Sequence, residues 1–340
     1  MTVVVNGRFL TGTPTGLHRV SRSLFDAACA AGLQATVIAP SAEDPRVDRV
    51  VRMPPGGAGS QVWEQVLLPA AAGRRPVMSL ANTAPVLARR GIVMVHDLAT
   101  FVGPQWFAPR MQTYGRVVLA AARRAELVLT VSQTMADELR DYGVSAPVAV
   151  IRNAVDSALQ PADDVSVERV LDERGIEPPY LLFVGWADPR KDVATALAAH
   201  RLASSAQPHR LVLTGHAHPN FAPVDVAPLD GVVQLGYVDD DAMRALLTGA
   251  SALVYPSRYE GFGLPPVEAW ACGTPSLVSD LPVLRESTEG RAVYVSPGDV
   301  EAWADAMLAA VRGEITAPTR LTRTWSDAGR ELVEALASIR

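Results

Sequence analysis

The sequence predicts an α/β protein with two doubly wound, Rossmann-like domains facing a cleft, and three observations carry that expectation. Short runs of Val, Ile and Leu alternate with longer helical patterns from end to end. The runs are continuously apolar, as strands covered on both faces must be. A polar stretch broken by Pro161 separates a first series of alternations from a second.

The first series reads as strands at "TVVVN", "ATVIAP", "PVMSL", "GIVMVH", "ELVLTV" and "PVAVI", with helices at 17–31, 62–72, 109–125 and 133–142. "NAVDSALQPADDVSVERV" reads as a linker. The second series is "YLLFVGW", "RLVLTG", "VVQLGYV", "SALVYPS", "PSLVSD" and "AVYVSPGD", with helices near 192–205, 239–250, 265–272 and 299–312. In such sheets a ligand sits outside the carboxyl ends of the strands, so the loops there are the place to look for chemistry.

Composition narrows the class. The chain has 340 residues, 49% hydrophobic and 20% charged, enough for two domains that each bury a core. No apolar run reaches the roughly 18 residues of a membrane span. "MTVVVNGRFL" meets Asn6 and Arg8 too early for a signal-peptide apolar region, and the two cysteines, Cys29 and Cys272, lie far apart in helical patterns. A reducing cytoplasm without a disulfide fits both features. Residues 1–158 carry 16 Arg against 11 acidic residues, whereas the remainder carries 15 basic against 25 acidic ones. The basic half reads either as a solvated face or as a surface for an anionic acceptor or a membrane. Of 31 basic side chains 30 are Arg, and the one Lys is Lys191, which reads either as chance or as a place where a compact ammonium fits and a planar fork does not.

The stretch "PSRYEGFGLPPVEAWACGTP" sets Glu260 in a glycine-rich turn after a strand, with Glu268 eight positions later. Pro265 and Pro266 suit a helix's first turn, Gly273 suits its end, and Glu268 is expected in the first turn. Gly261 and Gly263 leave backbone N–H groups open to an oxygen-rich ligand. Upstream, "LLFVGWADPRKDV" runs a strand into a helix that opens on Arg190 and Lys191. Cations there oppose the helix dipole, so an anion such as a diphosphate is expected to offset them. "TGTPTGLHRV" places Gly12 and Gly16 ahead of a helix, and His96 ends the strand "GIVMVH". No Asp-x-Asp pair or histidine spacing suggests a metal site, and the "DDD" at 239–241 reads as a helix cap.

Together "YEGFGLPPVEAWACGTP", "VGWADPRKDV", "VVQLGYVDDDAMRALLTGASALVYPS" and "VIRNAVD" resemble the retaining, nucleotide-sugar-dependent glycosyltransferases of the glycogen synthase-like family 4, which have the GT-B fold. "NGRFLTGTPTGLHRVSRSL", "WEQVLLP", "ANTAPV" and "VHDLATFVGPQWFAP" are similar to its bacterial mannosyl- and rhamnosyl-type branch. The resemblance implies boundaries of 1–158 for an acceptor-side domain and 159–320 for a nucleotide-sugar domain. Residues 321–340 would be a final helix crossing back to the first domain. It further implies that Glu268 accepts the ribose hydroxyls, while Glu260 with the backbone of Gly261, Phe262, Gly263 and Leu264 holds the donor sugar and distal phosphate. Arg190 and Lys191 would neutralise the diphosphate without a metal or cofactor. Tyr237 and Val238 would meet the nucleobase, Gly16 would face the phosphate, and His96 would lie beside the sugar. Many relatives have Arg where this chain has Trp186, so Arg190 is expected to take over that phosphate contact.

The implied activity is transfer of a hexose, from GDP-mannose first and then UDP- or TDP-sugars, to a glycan, lipid-linked or small-molecule acceptor. No nucleic acid is expected as a partner. The expected location is cytoplasmic, with room for weak association with the inner face of the membrane through the basic half. An epimerase or phosphorylase of the same fold and a non-catalytic two-domain binding protein remain as alternatives. A dehydrogenase is disfavoured, because "VVVNGRFLTGTPTG" lacks G-x-G-x-x-G after the first strand.

Overall fold

The computed structural model describes residues 2–11, 15–56, 59–319 and 323–339. Gly12 lies outside the described residues. The chain divides into two units: unit 1 holds Met1–Val102, Met111–Ala154 and Arg323–Arg340, and unit 2 holds Gly103–Arg110 and Val155–Thr322.

Unit 1 is a seven-stranded sheet in the order β3-β2-β1-β4-β5-β6-β7, all parallel. Its strands are β1 (Val3–Asn6), β2 (Ala35–Ala39), β3 (Arg49–Val50), β4 (Val77–Ser79), β5 (Gly91–Val95), β6 (Leu127–Thr130) and β7 (Val148–Val150). Its helices up to the unit boundary are α1 (Gly16–Ala30), α2 (Gly59–Val62), α3 (Leu68–Ala72), α4 (Ala99–Val102), α5 (Pro109–Arg124, whose first two residues belong to unit 2) and α6 (Gln133–Asp141). Where one helix was expected over 62–72, Trp63–Leu67 forms a π-helical turn between α2 and α3.

Unit 2 repeats the plan as a six-stranded parallel sheet, β10-β9-β8-β11-β12-β13. The strands are β8 (Tyr180–Val184), β9 (Arg210–Thr214), β10 (Val232–Gln234), β11 (Ala252–Tyr255), β12 (Ser276–Ser279) and β13 (Val293–Val295). The helices are α7 (Asp164–Arg174), α8 (Val193–Ala206), α9 (Asp240–Gly249), α10 (Leu264–Ala271), α11 (Pro282–Ser287) and α12 (Val300–Val311). Alternate residues of β8 explain its unbroken apolar run: Tyr180 and Leu182 enter the core on one face, Leu181 and Phe183 that on the other. Asp239 caps α9 by accepting from Ala242 N at 2.9 Å.

Three features differ from the sequence expectation. Asp164–Arg174, inside the stretch read as linker, is the helix α7, capped by Asp163 and closed by Gly175 at φ 61°. The change of unit falls at Val155. Residues 103–110 sit with unit 2, because Phe107 pairs with Phe221 as an isolated antiparallel bridge and Ala108 N donates to Asn220 O at 3.0 Å. The helix α13 (Trp325–Ala337) belongs to unit 1 and packs on α1 so closely that a Cβ on Gly329 would lie 2.4 Å from the carbonyl carbon of Ala27.

Candidate active site

In unit 2 the strand order reverses between β8 and β11, which are hydrogen-bonded neighbours. The loops leaving their carboxyl ends therefore diverge and leave room for a ligand. After β8 the chain turns at Gly185, φ 82°, and runs through Asp188 into a short 3-10 turn at Pro189–Lys191. After β11 it runs through Ser257 and Arg258 to Glu260 and the glycine turn. Arg258 N donates to Arg190 O at 2.7 Å, which fastens one loop to the other.

This arrangement brings Lys191 and Glu260 together. Lys191 Nζ donates to Glu260 Oε1 at 2.6 Å and to the Tyr255 hydroxyl. The Lys191 and Glu260 side chains are 13% and 9% exposed, so the pair sees little screening water. Tyr255, the last residue of β11, is buried; burial first, then the charge of Glu260 and a hydrogen bond to it, hold its hydroxyl proton well beyond the usual tyrosine range. It remains a neutral donor between a cation and an anion.

Arg190 is engaged differently. Its guanidinium meets Asp188 through Nε at 3.1 Å and Nη2 at 2.7 Å, and its Cζ lies 5.6 Å from the Phe107 ring centroid and 5.4 Å from that of Phe221. Asp188 is nearly buried; burial would raise its pKa, but the Arg190 charge and hydrogen bonds outweigh this and hold it below the usual range. Next to it Asp192, at φ 53° and 5% exposed, receives Arg258 Nε at 2.9 Å.

The glycine turn leads directly into α10. Gly261, Phe262 and Gly263 are buried, Leu264 is the first helical residue, and Gly263 adopts φ 87° with its missing Cβ directed at Leu284. Glu268 is the fifth residue of α10, one position deeper than expected, because the helix already starts at Leu264, directly after the left-handed Gly263. Tyr237 and Val238 follow β10; Val238 is core, whereas Tyr237 is 75% exposed and stands edge-on to His216 at 6.2 Å. The Tyr237 loop connects back to the site through Gly215 N, which donates to Gly236 O at 3.1 Å, and Gly215 O, which accepts from Trp186 Nε1 at 2.9 Å.

In unit 1, His96 follows β5 and is 8% exposed. Its Nε2 lies 2.7 Å from Leu80 O, and its backbone N donates to Asn82 Oδ1 at 2.7 Å, with Asn82 at φ 49°. A carbonyl only accepts, so Nε2 carries the proton and neutral His96 keeps a lone pair on Nδ1. Burial favours that neutral form by depressing its pKa, against weaker opposition from the Leu80 carbonyl and Asp97. Gly16 is the first residue of α1, after Thr15, whose hydroxyl accepts from His18 N at 3.3 Å.

Sequence reasoning missed Tyr255, Asp188, Asp192 and Arg258 in unit 2. It also missed a buried cluster in unit 1 where Glu64 accepts from Arg8 and, at 3.2 Å, from Tyr114. Burial raises the Glu64 pKa against the opposing Arg8 charge. The position of Tyr255 at a strand's carboxyl end was the one local signal available. Among the described residues no three His, Cys, Asp or Glu side chains converge as a metal set.

Comparison with known proteins bears on the family and the fold. Residues 178–312 match the family model for glycosyl transferases group 1, and residues 14–159 match that for glycosyltransferase family 4. Over 241 residues the chain is 32% identical to the O-antigen chain mannosyltransferase RfbU of Salmonella typhimurium, a match covering 69% of this chain and 64% of that protein. It is 29% identical to O-antigen chain mannosyltransferase B of Escherichia coli over 63% of this chain and 59% of the relative. The matched stretches thus span about three fifths of these relatives' length. Anabaena Alr3699/HepE, crystallised with UDP and glucose, superposes with a TM-score of 0.68 over 99% of both chains at 18% identity, which speaks for the fold alone. With both halves matched by their models and both sheets in the doubly wound order, the chain belongs to the family 4 glycosyltransferases of GT-B architecture.

Proposed function

We propose that the protein is a retaining, metal-independent hexosyltransferase that uses a nucleoside diphosphate sugar, GDP-mannose first and UDP- or TDP-sugars next. The acceptor is a hydroxyl of a glycan, glycolipid or small molecule, and the reaction takes place in the cytoplasm. The mannosyltransferase relatives support the sugar. The observation that carries the reading is the Lys191–Glu260 pair at 2.6 Å, set at the strand reversal beside the amides of the glycine turn.

In this reading the donor's ribose hydroxyls donate to Glu268, whose carboxylate can accept two O–H groups at once. Glu260 and the amides of Gly261 to Leu264 hold the sugar and the distal phosphate, with Tyr237 and Val238 at the base and the Gly16 end of α1 toward the phosphate. As the glycosidic bond breaks, negative charge grows on the diphosphate, and Lys191 stabilises it more strongly than in the ground state. Arg190, held by Asp188 and two rings, acts beside it as a fixed cation whose charge is already partly balanced. The lone pair of His96 Nδ1 accepts from a sugar hydroxyl. The acceptor attacks on the face the phosphate leaves, and that phosphate takes its proton, so configuration is retained.

A thermal-shift panel of GDP, UDP, TDP and ADP tests the donor: a ligand at 100 times its dissociation constant adds about 2.7 kcal/mol. No shift with any of the four sinks the reading. Activity on the responding donor should survive EDTA with the product anomer retained. Loss restored by magnesium or manganese overturns metal independence, and an inverted product overturns the same-face course.

A further inference from the structure

Tyr255, at the carboxyl end of β11, touches both members of the Lys191–Glu260 pair and has no part yet in the reaction set out above. Its hydroxyl oxygen accepts from Lys191 Nζ, which also lies 4.3 Å from the centroid of its ring. An ammonium has no lone pair and only donates, so the tyrosine must send its own proton elsewhere. Glu260 and Ser257 are the acceptors in reach, and a carboxylate outcompetes a neutral hydroxyl. Glu260 takes Lys191 Nζ as well, at 2.6 Å. Lysine, tyrosine and glutamate therefore close a triangle whose three sides are hydrogen bonds.

Tyr255 is the rigid corner of that triangle. Its side chain is buried in the core that holds Leu253, Val278 and Leu284, and the Cβ that Gly263 lacks would stand 3.8 Å from its Cε1. A ring packed on both the sheet core and the glycine turn keeps its hydroxyl in one place. Lys191 and Glu260 reach it on longer, more flexible side chains. An ammonium held by one partner can swing about that contact, whereas one held by two has two of its three N–H directions fixed. Tetrahedral geometry then fixes the third.

We propose that Tyr255 is a positioning residue for sugar transfer: it aims the third donor of Lys191 at the departing phosphate and keeps the Glu260 carboxylate in place while the ammonium serves that phosphate. The role rests on the donor site proposed above and acts through Lys191, without contact to the sugar. A donor already aimed at developing charge needs no reorganisation as the glycosidic bond breaks, and its effect is therefore felt in the transition state. A planar guanidinium could not be aimed by two such contacts, which gives the chain's single lysine a physical reason.

Tyr255→Phe tests this, because it keeps the ring and removes only the hydroxyl. With the donor that the parent uses, kcat should fall roughly 10- to 100-fold, a little less than the loss of a direct donor to the reacting centre. The donor KM and the nucleoside diphosphate dissociation constant should stay within about threefold, and melting should stay close to the parent's temperature. Tyr255→Leu, which discards the ring as well, shows the pattern of a packing defect for comparison, with KM and melting temperature both disturbed. In a Lys191→Met background no ammonium remains to be aimed, so adding Tyr255→Phe should cost less than about threefold in the residual kcat. The role is overturned by a Tyr255→Phe enzyme as fast as the parent, by a loss carried in KM alone, or by an undiminished loss in the Lys191→Met background. Each of those outcomes leaves the transferase reading standing, whereas a parent that transfers sugar from no donor overturns that reading and this role together.

Discussion

Lys191 and Glu260 stand 69 positions apart in sequence and 2.6 Å apart in space, and that closeness separates the role of Glu260 from that of Glu268. Glu268→Ala removes an acceptor for ribose and should weaken nucleoside diphosphate binding by about 1.5–3 kcal/mol, roughly 10- to 150-fold by calorimetry. Glu260→Ala should leave that binding nearly intact and lower turnover, since it frees Lys191 and removes the sugar's carboxylate. Equal losses of binding in both variants would contradict the division. A second residue-scale expectation concerns His200 and His209, stacked edge-on with Nδ1 of one 3.2 Å from Nε2 of the other. Burial first and the neighbouring ring second push the His200 pKa down to about 4, against weaker opposition from Asp230. Between that value and the ordinary 6.5 the unfolded chain binds more protons than the folded one. Stability is therefore complete above about pH 6.5 and falls as pH drops toward 4. The melting temperature should decline between about pH 7 and pH 5, and His200→Gln should flatten that decline; an unchanged slope would show that other groups govern it.

At the scale of elements, Gly263 shows how narrowly α10 is placed. At φ 87° a side chain is strained, and its Cβ would meet Leu284 Cδ2, itself fully buried, at 2.4 Å. Gly263→Ala should cost roughly 1–3 kcal/mol and lower the melting temperature by several degrees; a melting curve matching the parent's would show that the turn can relax. The strands were legible because continuous Val, Ile and Leu in a parallel sheet leave a local signature. The helix α7 was not: only Val170 and Leu171 of it are buried, so its apolar stripe is too thin to stand out beside Pro161. The two-residue edge strand β3, Arg49–Val50, is exposed and carries no pattern at all. The same limit applies within the site. The glycine turn and its two glutamates are contiguous and could be read, whereas Asp192 meeting Arg258 and Tyr255 meeting Lys191 are pairings across more than sixty positions. Such pairings come from strand order, which no local window contains.

At the scale of the molecule, unit 1 is completed by a helix encoded after unit 2. Arg323 donates to Arg152 O at 2.8 Å and pairs with Glu331 at 2.6 Å, and α13 lays Ala328, Leu332 and Leu336 into buried positions of unit 1. Removing residues 325–340 should raise hydrogen exchange in unit 1, above all in residues 15–31, and leave β8 to β13 protected. Change confined to 159–320 would reject that dependence.

The close seat of Gly329 on Ala27 also bears on the order in which the protein can mature. Translation delivers α1 early and α13 only after the whole of unit 2, so α1 leaves the ribosome with its partner still unmade. During that interval the surface of α1 that will receive Gly329 is open to solvent and to chaperones. Unit 1 therefore waits for its last helix until the end of the chain is released, with its own strands and its other helices already made.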